Sequence, residues 1–385
     1  MDDVGVYVHV PFCERICPYC DFPVVAVRWL SAAAEAEYVE ALVGELAARR
    51  VDFAGRRLAT LYFGGGTPSL LRPESLARLV AAVRGAFAGE PDEVTLEANP
   101  STLECERLPG FRAAGIDRVS LGVQSFDDVT LRRLGRAHRA VLLPRSLAAC
   151  RAAGFRRLSL DLIAAAPDQT PASLERDLAA ALAADPDHLS VYELTLEPGT
   201  PFARAAERGR LRLPSDEGAA RMLERVEERL VGAGYRRYEI SSYARPGAEA
   251  QHNRRYWERR PVLGLGMGAV SNDPPAAGRP HGARRTNPRT LAAYLETAAG
   301  RRGAEVEVLA PAVARGEAVF LALRTDAGLH AGRFAGEFGA PPRRFFADAI
   351  EALLAQGLLD EDAAGGLRLT PRGRMLSDSV FVHFV

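Results

Sequence analysis

Apolar and polar positions along the chain follow two rhythms, period two in short runs and helical spacing in longer ones. The short apolar runs fall at residues 4–10, 58–63, 94–99, 118–124, 158–163 and 189–196 and predict six strands. Between them lie stretches rich in Ala, Leu, Glu and Arg at helical spacing. Their starts carry recognisable signals: Ser31 as an N-cap, Pro73 in a first turn, a Ser101/Glu104 capping box, and Thr170-Pro171. Strand, polar tip and helix thus repeat six times, which predicts parallel strands joined by right-handed crossovers. In each unit the chemically unusual residues sit in or just after the back half of the strand. Chemistry gathered at the C-terminal ends of successive strands is how a (β/α) barrel builds a site.

After the sixth strand the pattern changes. A charged helix is expected over 215–232 and a strand over 238–243, followed by Gln251-His-Asn-Arg-Arg-Tyr-Trp257 and a glycine-rich run at 263–272. The Pro/Gly/Ala-rich residues 273–281 read as an exposed loop. From about residue 304 come short helices near 312–324, 330–338 and 342–357, then a hairpin wing. The expected division is a barrel core at 1–200, a barrel extension at 201–303 and a small winged-helix-like domain at 304–385.

Composition narrows the partners more than the fold. Of 385 residues, 48% are hydrophobic and 25% charged, and Lys+Arg balances Asp+Glu at 49 each. Such a chain has no global field to draw in nucleic acid or an anionic membrane. The wing adds no basic face, since Arg343 and Arg344 stand among Pro, Phe and acidic residues. Every fixed cation is Arg, which excludes lysine Schiff-base chemistry and supplies planar forks for carboxylates. No apolar run reaches the ~18 residues of a membrane span, and the N-terminus lacks a basic-then-apolar signal. The expected location is cytoplasmic.

The densest chemistry follows the first strand, in Tyr7-Val-His-Val-Pro-Phe-Cys13-Glu-Arg-Ile-Cys17-Pro-Tyr-Cys20-Asp-Phe22. Three cysteines spaced C-x3-C-x2-C suit a soft metal site, zinc or iron–sulfur. A closed zinc site wants a fourth ligand, and only His9 is near in sequence. Three thiolates on a four-iron cluster leave one iron open to a small molecule. Cys105 and Cys150 have no such neighbours and read as small buried apolar residues.

This motif, in a loop after a first strand, resembles the radical SAM superfamily. Its flanks, "YVHVPFC" and "CDF", are similar to the oxygen-independent coproporphyrinogen III oxidase group and within it to the HemW-type haem-chaperone branch. The resemblance implies a partial, six-unit TIM-like radical SAM barrel of α/β class. It implies that Cys13, Cys17 and Cys20 hold a [4Fe–4S] cluster and that S-adenosylmethionine (SAM) chelates the open iron. The "GGGTP" segment places Gly65, Gly66 and Thr67 on SAM, and "LEANP", "GVQSF", "LGR" and "DLI" add Glu97, Gln124, Arg136 and Asp161. Tyr7 and Tyr19 match further SAM contacts. No residue is assigned a catalytic role.

Several positions bear on the branch. The oxidases carry another cysteine two residues past the third; here that position is Phe22. The segment that usually ends Gly-Leu-Pro is Ala164-Ala165-Ala166-Pro167, and a usual histidine is Val270. The chaperone branch's His252-Asn253-x-x-Tyr256-Trp257 is intact, so His252 is a haem candidate and His9, near the cluster, is another. The implied partners are haem or a related tetrapyrrole, an acceptor haemoprotein and a reductant protein, with homodimerisation allowed. A radical decarboxylase acting on coproporphyrinogen III, or a radical SAM methyltransferase, is the alternative.

Overall fold

The computed structural model describes residues 3–385, with all side chains among them except those of Thr102 and Leu103. Six strands, β1 (Asp3–Val10), β2 (Arg57–Gly65), β3 (Glu93–Ala98), β4 (Arg118–Gln124), β5 (Arg157–Ala164) and β6 (His188–Glu193), lie side by side in chain order, all parallel. Helices α1 (Ala32–Arg49), α2 (Pro73–Ala86), α3 (Thr102–Ala113), α4 (Leu143–Ala152) and α5 (Pro171–Ala183) make the crossovers. Ser31 caps α1 by accepting from the Ala34 N–H, and Thr170 with Ser173 forms a full capping box on α5. At α3 only half of the expected box forms. Ser101 accepts from the Glu104 N–H, while the Glu104 carboxylate turns to the Asn99 N–H and the Ser69 hydroxyl.

The sheet continues beyond the barrel strands to twelve in all. On one side β7 (Arg236–Arg237) and β8 (Ser242–Ala244) add antiparallel to β6. On the other, β9 (Val262–Leu265) pairs parallel with β1, and β10 (Val270–Asp273), β11 (Ala283–Thr286) and β12 (Glu305–Val308) follow antiparallel. The outer sides of β1 and β6 are thereby occupied by β9 and β8, so the barrel stays open, as expected. The glycine-rich run supplies β9, an extra parallel strand that its composition did not announce. Glycine makes it possible: a Cβ at Gly264 would stand 2.5 Å from the Val270 carbonyl oxygen of the next strand.

Strand parity decides where the core and the site lie. Val4, Val6, Val8, Leu61, Phe63, Leu96, Val119, Leu121, Leu160 and Leu189 point outwards and form one buried core with α1–α5. The alternate positions carry polar groups: Tyr7, Thr60, Tyr62, Thr95, Glu97, Ser120, Ser159, Asp161, His188 and Ser190. Larger barrels of this kind fill the lumen with branched apolar layers. Here the lumen is polar and hollow.

The C-terminal segment has its own core. Helices Pro311–Leu323, Ala331–Phe338 and Arg343–Ala355 and the hairpin β13 (Leu359–Glu361)–β14 (Leu367–Leu369) bury Val319, Phe334, Ile350, Leu353 and Leu367 together, with Ile240 of the extension packed against them. Ion pairs Arg237–Asp326 at 2.8 Å and Arg259–Glu337 at 2.7 Å join this segment to the rest. Among the described residues no helix is long and apolar enough to cross a membrane.

Candidate cluster and SAM site

The cysteine loop leaves β1 at Val10 and is tied down on two sides. Phe12–Cys13 pairs with Val25–Ala26, and the Val27 N–H donates to the Cys13 carbonyl at 2.8 Å. From β2, the Gly66 N–H donates to the Val10 carbonyl and the Thr67 N–H to the Phe12 carbonyl, both at 2.8 Å. The glycines are required by this contact. Gly65 has φ +110°, and a Cβ there would meet the His9 ring at 2.5 Å; one at Gly66 would meet the Phe12 carbonyl oxygen at 2.8 Å. Bare backbone at "GGG" thus serves first to seat the cysteine loop, a role its sequence does not reveal.

Cys13, Cys17 and Cys20 are free thiols lining one cavity of about 630 Å³. With them on its walls are Tyr19, Gly65, Gly66, Thr67, Glu97, Gln124, Arg136 and Asp161. Tyr7 lies apart from these walls, packed beside Tyr62 with its hydroxyl 3.0 Å from His9 Nδ1. A register shift after Gly122 and φ +63° at Gln124 turn that side chain at the end of β4.

Charge inside the cavity is arranged in opposition. The Glu97 carboxylate accepts from the Tyr62 hydroxyl at 2.7 Å and the Gly65 N–H at 3.1 Å. Burial, reinforced by the nearby Asp161 charge, pushes it up to about 7. Asp161 accepts from the Ser120 hydroxyl at 3.1 Å, and burial pushes it up to about 6. Arg136 reaches Cys17 Sγ at 3.6 Å and the Gly122 carbonyl at 3.1 Å, and donates to Asn99 Oδ1, while its Nε is buried without a partner. Asn99 in turn donates to Thr67 Oγ1 at 3.0 Å, and that hydroxyl lies 3.6 Å from Cys13 Sγ.

These residues fit a cluster with SAM. Among the described residues no three His, Cys, Asp or Glu side chains converge on one point as ligands of a single ion. Cysteines that hold a cubane bind different irons and need no such convergence. Two carboxylates held near their ionisation points await a cation, and the orphaned Arg136 Nε awaits an acceptor. SAM carries both, a sulfonium with an ammonium group and a carboxylate.

Both haem candidates are committed elsewhere. His9 Nδ1 meets Tyr7 and its Nε2 lies 2.8 Å from the Pro23 carbonyl. His252 is 1% exposed, with Nδ1 2.8 Å from Thr60 Oγ1 and Nε2 3.2 Å from the Tyr256 hydroxyl. Burial lowers them to about 4 and about 3. Both ring nitrogens of each are thus engaged within the protein. Sequence reasoning missed Tyr62, Asn99, Ser120 and Tyr192 at the cavity. Strand parity would have found all but Asn99, since the other three share the inward phase of the named residues.

An open parallel barrel with a three-cysteine loop at its C-terminal rim defines a radical SAM protein. Residues 7–181 match the radical SAM superfamily and residues 309–376 the HemN C-terminal domain. In architecture the chain is similar to coproporphyrinogen III oxidase (HemN) from Escherichia coli, with a TM-score of 0.82 at 25% identity over 100% of this chain and 90% of that one. In sequence it is similar to proteins named heme chaperone HemW. It is 34% identical to that of Bacillus subtilis over 99% of both chains, and 38% identical to that of Mycobacterium tuberculosis over 98% of this chain and 93% of the relative. The chain belongs to the HemW family of radical SAM proteins.

Proposed function

We propose that this protein is a haem chaperone: it holds haem, a [4Fe–4S] cluster and SAM, and passes haem to an acceptor haemoprotein. Similarity along the whole length to proteins named heme chaperone carries this reading. Phe22 supports it. That side chain, where the oxidases have a further cysteine, is 66% exposed on the rim of the cluster cavity.

In this reading the Cys13, Cys17 and Cys20 thiolates hold the cluster. When bound, cluster and SAM supply one-electron chemistry at the sulfonium. Glu97 and Asp161 face the cationic ligand, and each gains by ionising beside it. Arg136 offers its orphaned Nε to the SAM carboxylate, and Asn99 holds the Arg136 fork in place. The Gly65–Gly66–Thr67 backbone would hold the methionine end of SAM, with Tyr19 on the adenine side and Gln124 a further contact. Tyr7 acts from below by fixing His9, against which Gly65 rests. A reductant protein and the acceptor complete the partner set.

The test uses reconstituted full-length protein. It is mixed with haem, and separately with coproporphyrinogen III, SAM and a reductant. The expected result is a shifted haem absorbance with no carbon dioxide released. Stoichiometric decarboxylation without haem binding would overturn the reading in favour of the oxidase; methylated product would favour a methyltransferase.

A further inference from the structure

A second large cavity in the described structure lies away from the cluster. About 690 Å³ in volume, it opens between the barrel extension and the C-terminal segment. We propose that this interdomain cavity is the haem pocket, with His281 as the iron ligand and Arg236 and Arg333 facing the propionates. This rests on the haem-chaperone reading above and assigns its cargo a place.

Volume and charge both argue against haem in the barrel lumen. That cavity must already take a cluster and SAM within about 630 Å³. Glu97, Asp161, Glu193 and Glu197 on its walls have no ion pair among the described residues and would repel two propionates, whereas on the interdomain walls Glu258, Asp273, Asp326 and Glu337 are each ion-paired and only Glu249 is not. The interdomain cavity has a volume within the range of small-molecule and cofactor sites, with an apolar wall of Trp257, Leu329, Phe334, Ala318 and Ala322. Two of its arginines are spent, Arg254 on Glu258 at 2.9 Å and Arg259 on Glu337 at 2.7 Å. Arg236 and Arg333 have no ion pair among the described residues, which leaves two cations for two carboxylates.

The histidines point the same way. Of seven in the chain, His9 and His252 have both ring nitrogens engaged. His138 and His188 are buried, with one nitrogen each on the Val123 carbonyl and the Tyr238 hydroxyl. On the interdomain walls His330 uses Nδ1 to cap its own helix. His281, its ring tilted against that of Phe338 at 5.4 Å between centroids, has neither nitrogen hydrogen-bonded among the described residues. The seventh, His383, is exposed and lines neither cavity, which leaves His281 as the imidazole on the interdomain walls with most to offer an iron.

The "HNRRYW" helix, Gln251–Trp257, is then a partition. Asn253 faces the cluster cavity, while Arg254 and Trp257 face the interdomain one. Beside it, His188 on the first cavity is bonded to Tyr238 on the second at 2.8 Å. Cargo and cluster would be separated by a single layer of side chains.

The test titrates haem, and haem dimethyl ester, into cluster-loaded full-length protein while visible absorbance and the ferric-haem electron paramagnetic resonance signal are followed. His281→Ala should change the axial-ligand signature and weaken haem binding about tenfold or more. His330→Ala should leave the signature unchanged. Arg236→Gln with Arg333→Gln should weaken haem about tenfold and the dimethyl ester little. Iron content of the cluster and the thermal midpoint serve as folding controls for each variant. An unchanged signature in His281→Ala, or equal losses for haem and its ester in the arginine variant, would overturn the pocket while leaving the chaperone reading intact. No haem binding by the unaltered protein would instead overturn the chaperone reading itself.

Discussion

Glu97 and Asp161 share one low-dielectric chamber; burial makes both harder to ionise, and the Asp161 charge adds to the effect at Glu97. A bound cation relieves both, so SAM binding at pH 7 should release protons. Affinity should therefore fall as pH drops below about 7, where Glu97 protonates, by up to tenfold per pH unit. Isothermal titration in buffers of different ionisation enthalpy measures both quantities. Glu97→Gln should bind SAM at least about tenfold more weakly and lose most of this pH dependence. Equal affinity at pH 6 and at pH 8 would remove Glu97 from the site. A second residue-scale prediction concerns Ala165. It adopts φ +55° in the segment where the resembling family ends in Gly-Leu-Pro, a conformation that costs a non-glycine residue about 1 kcal/mol. Ala165→Gly relieves that strain but removes a methyl buried in the main core, so the two effects should nearly cancel, with the denaturation midpoint moving by an amount equivalent to less than about 0.5 kcal/mol and SAM affinity little changed.

Among elements, the pairing of the cysteine loop with the glycine segment matters most. Gly66→Ala places a methyl group 2.8 Å from the Phe12 carbonyl oxygen, so the loop has to move. The expected outcome is iron content well below that of the unaltered protein, with a fall in stability of about 1–3 kcal/mol; iron analysis and chemical denaturation read the two separately. Full iron loading in this variant would mean that the glycines are needed only for the ligand. Much at this scale was legible beforehand. Six strands, their order and the rim position of the cysteines follow from period-two runs ending in polar tips, because parity is a local property. The roles of His9 and His252 were not legible. Each depends on partners far away in the chain, Pro23 for one and Thr60 for the other, and no spacing rule announces those contacts. Likewise "LGLGMG" reads as flexible, yet it forms β9 because only glycine lets the Val270 backbone approach it.

At the scale of the whole molecule, two cavities lie on either side of one short helix, and the C-terminal segment closes the second. The Arg259–Glu337 pair bridges that closure with Glu337 nearly half exposed. Such pairs contribute at most about 1 kcal/mol. Glu337→Gln should thus move the thermal midpoint by only a degree or two, and haem affinity should change more than SAM affinity does; calorimetry and paired titrations compare them. Composition could not reveal the cavity, which arises only when the extension and the C-terminal segment pack together. The central claim remains that Cys13, Cys17 and Cys20 present a cluster with one open iron to SAM. The most direct measurement is iron and sulfide analysis with electron paramagnetic resonance of the anaerobically reconstituted, reduced protein, before and after SAM. About four irons per chain and a spectrum altered by SAM are predicted, both lost when any of the three cysteines becomes alanine. An iron-free protein, or a cluster whose spectrum ignores SAM, would contradict the account.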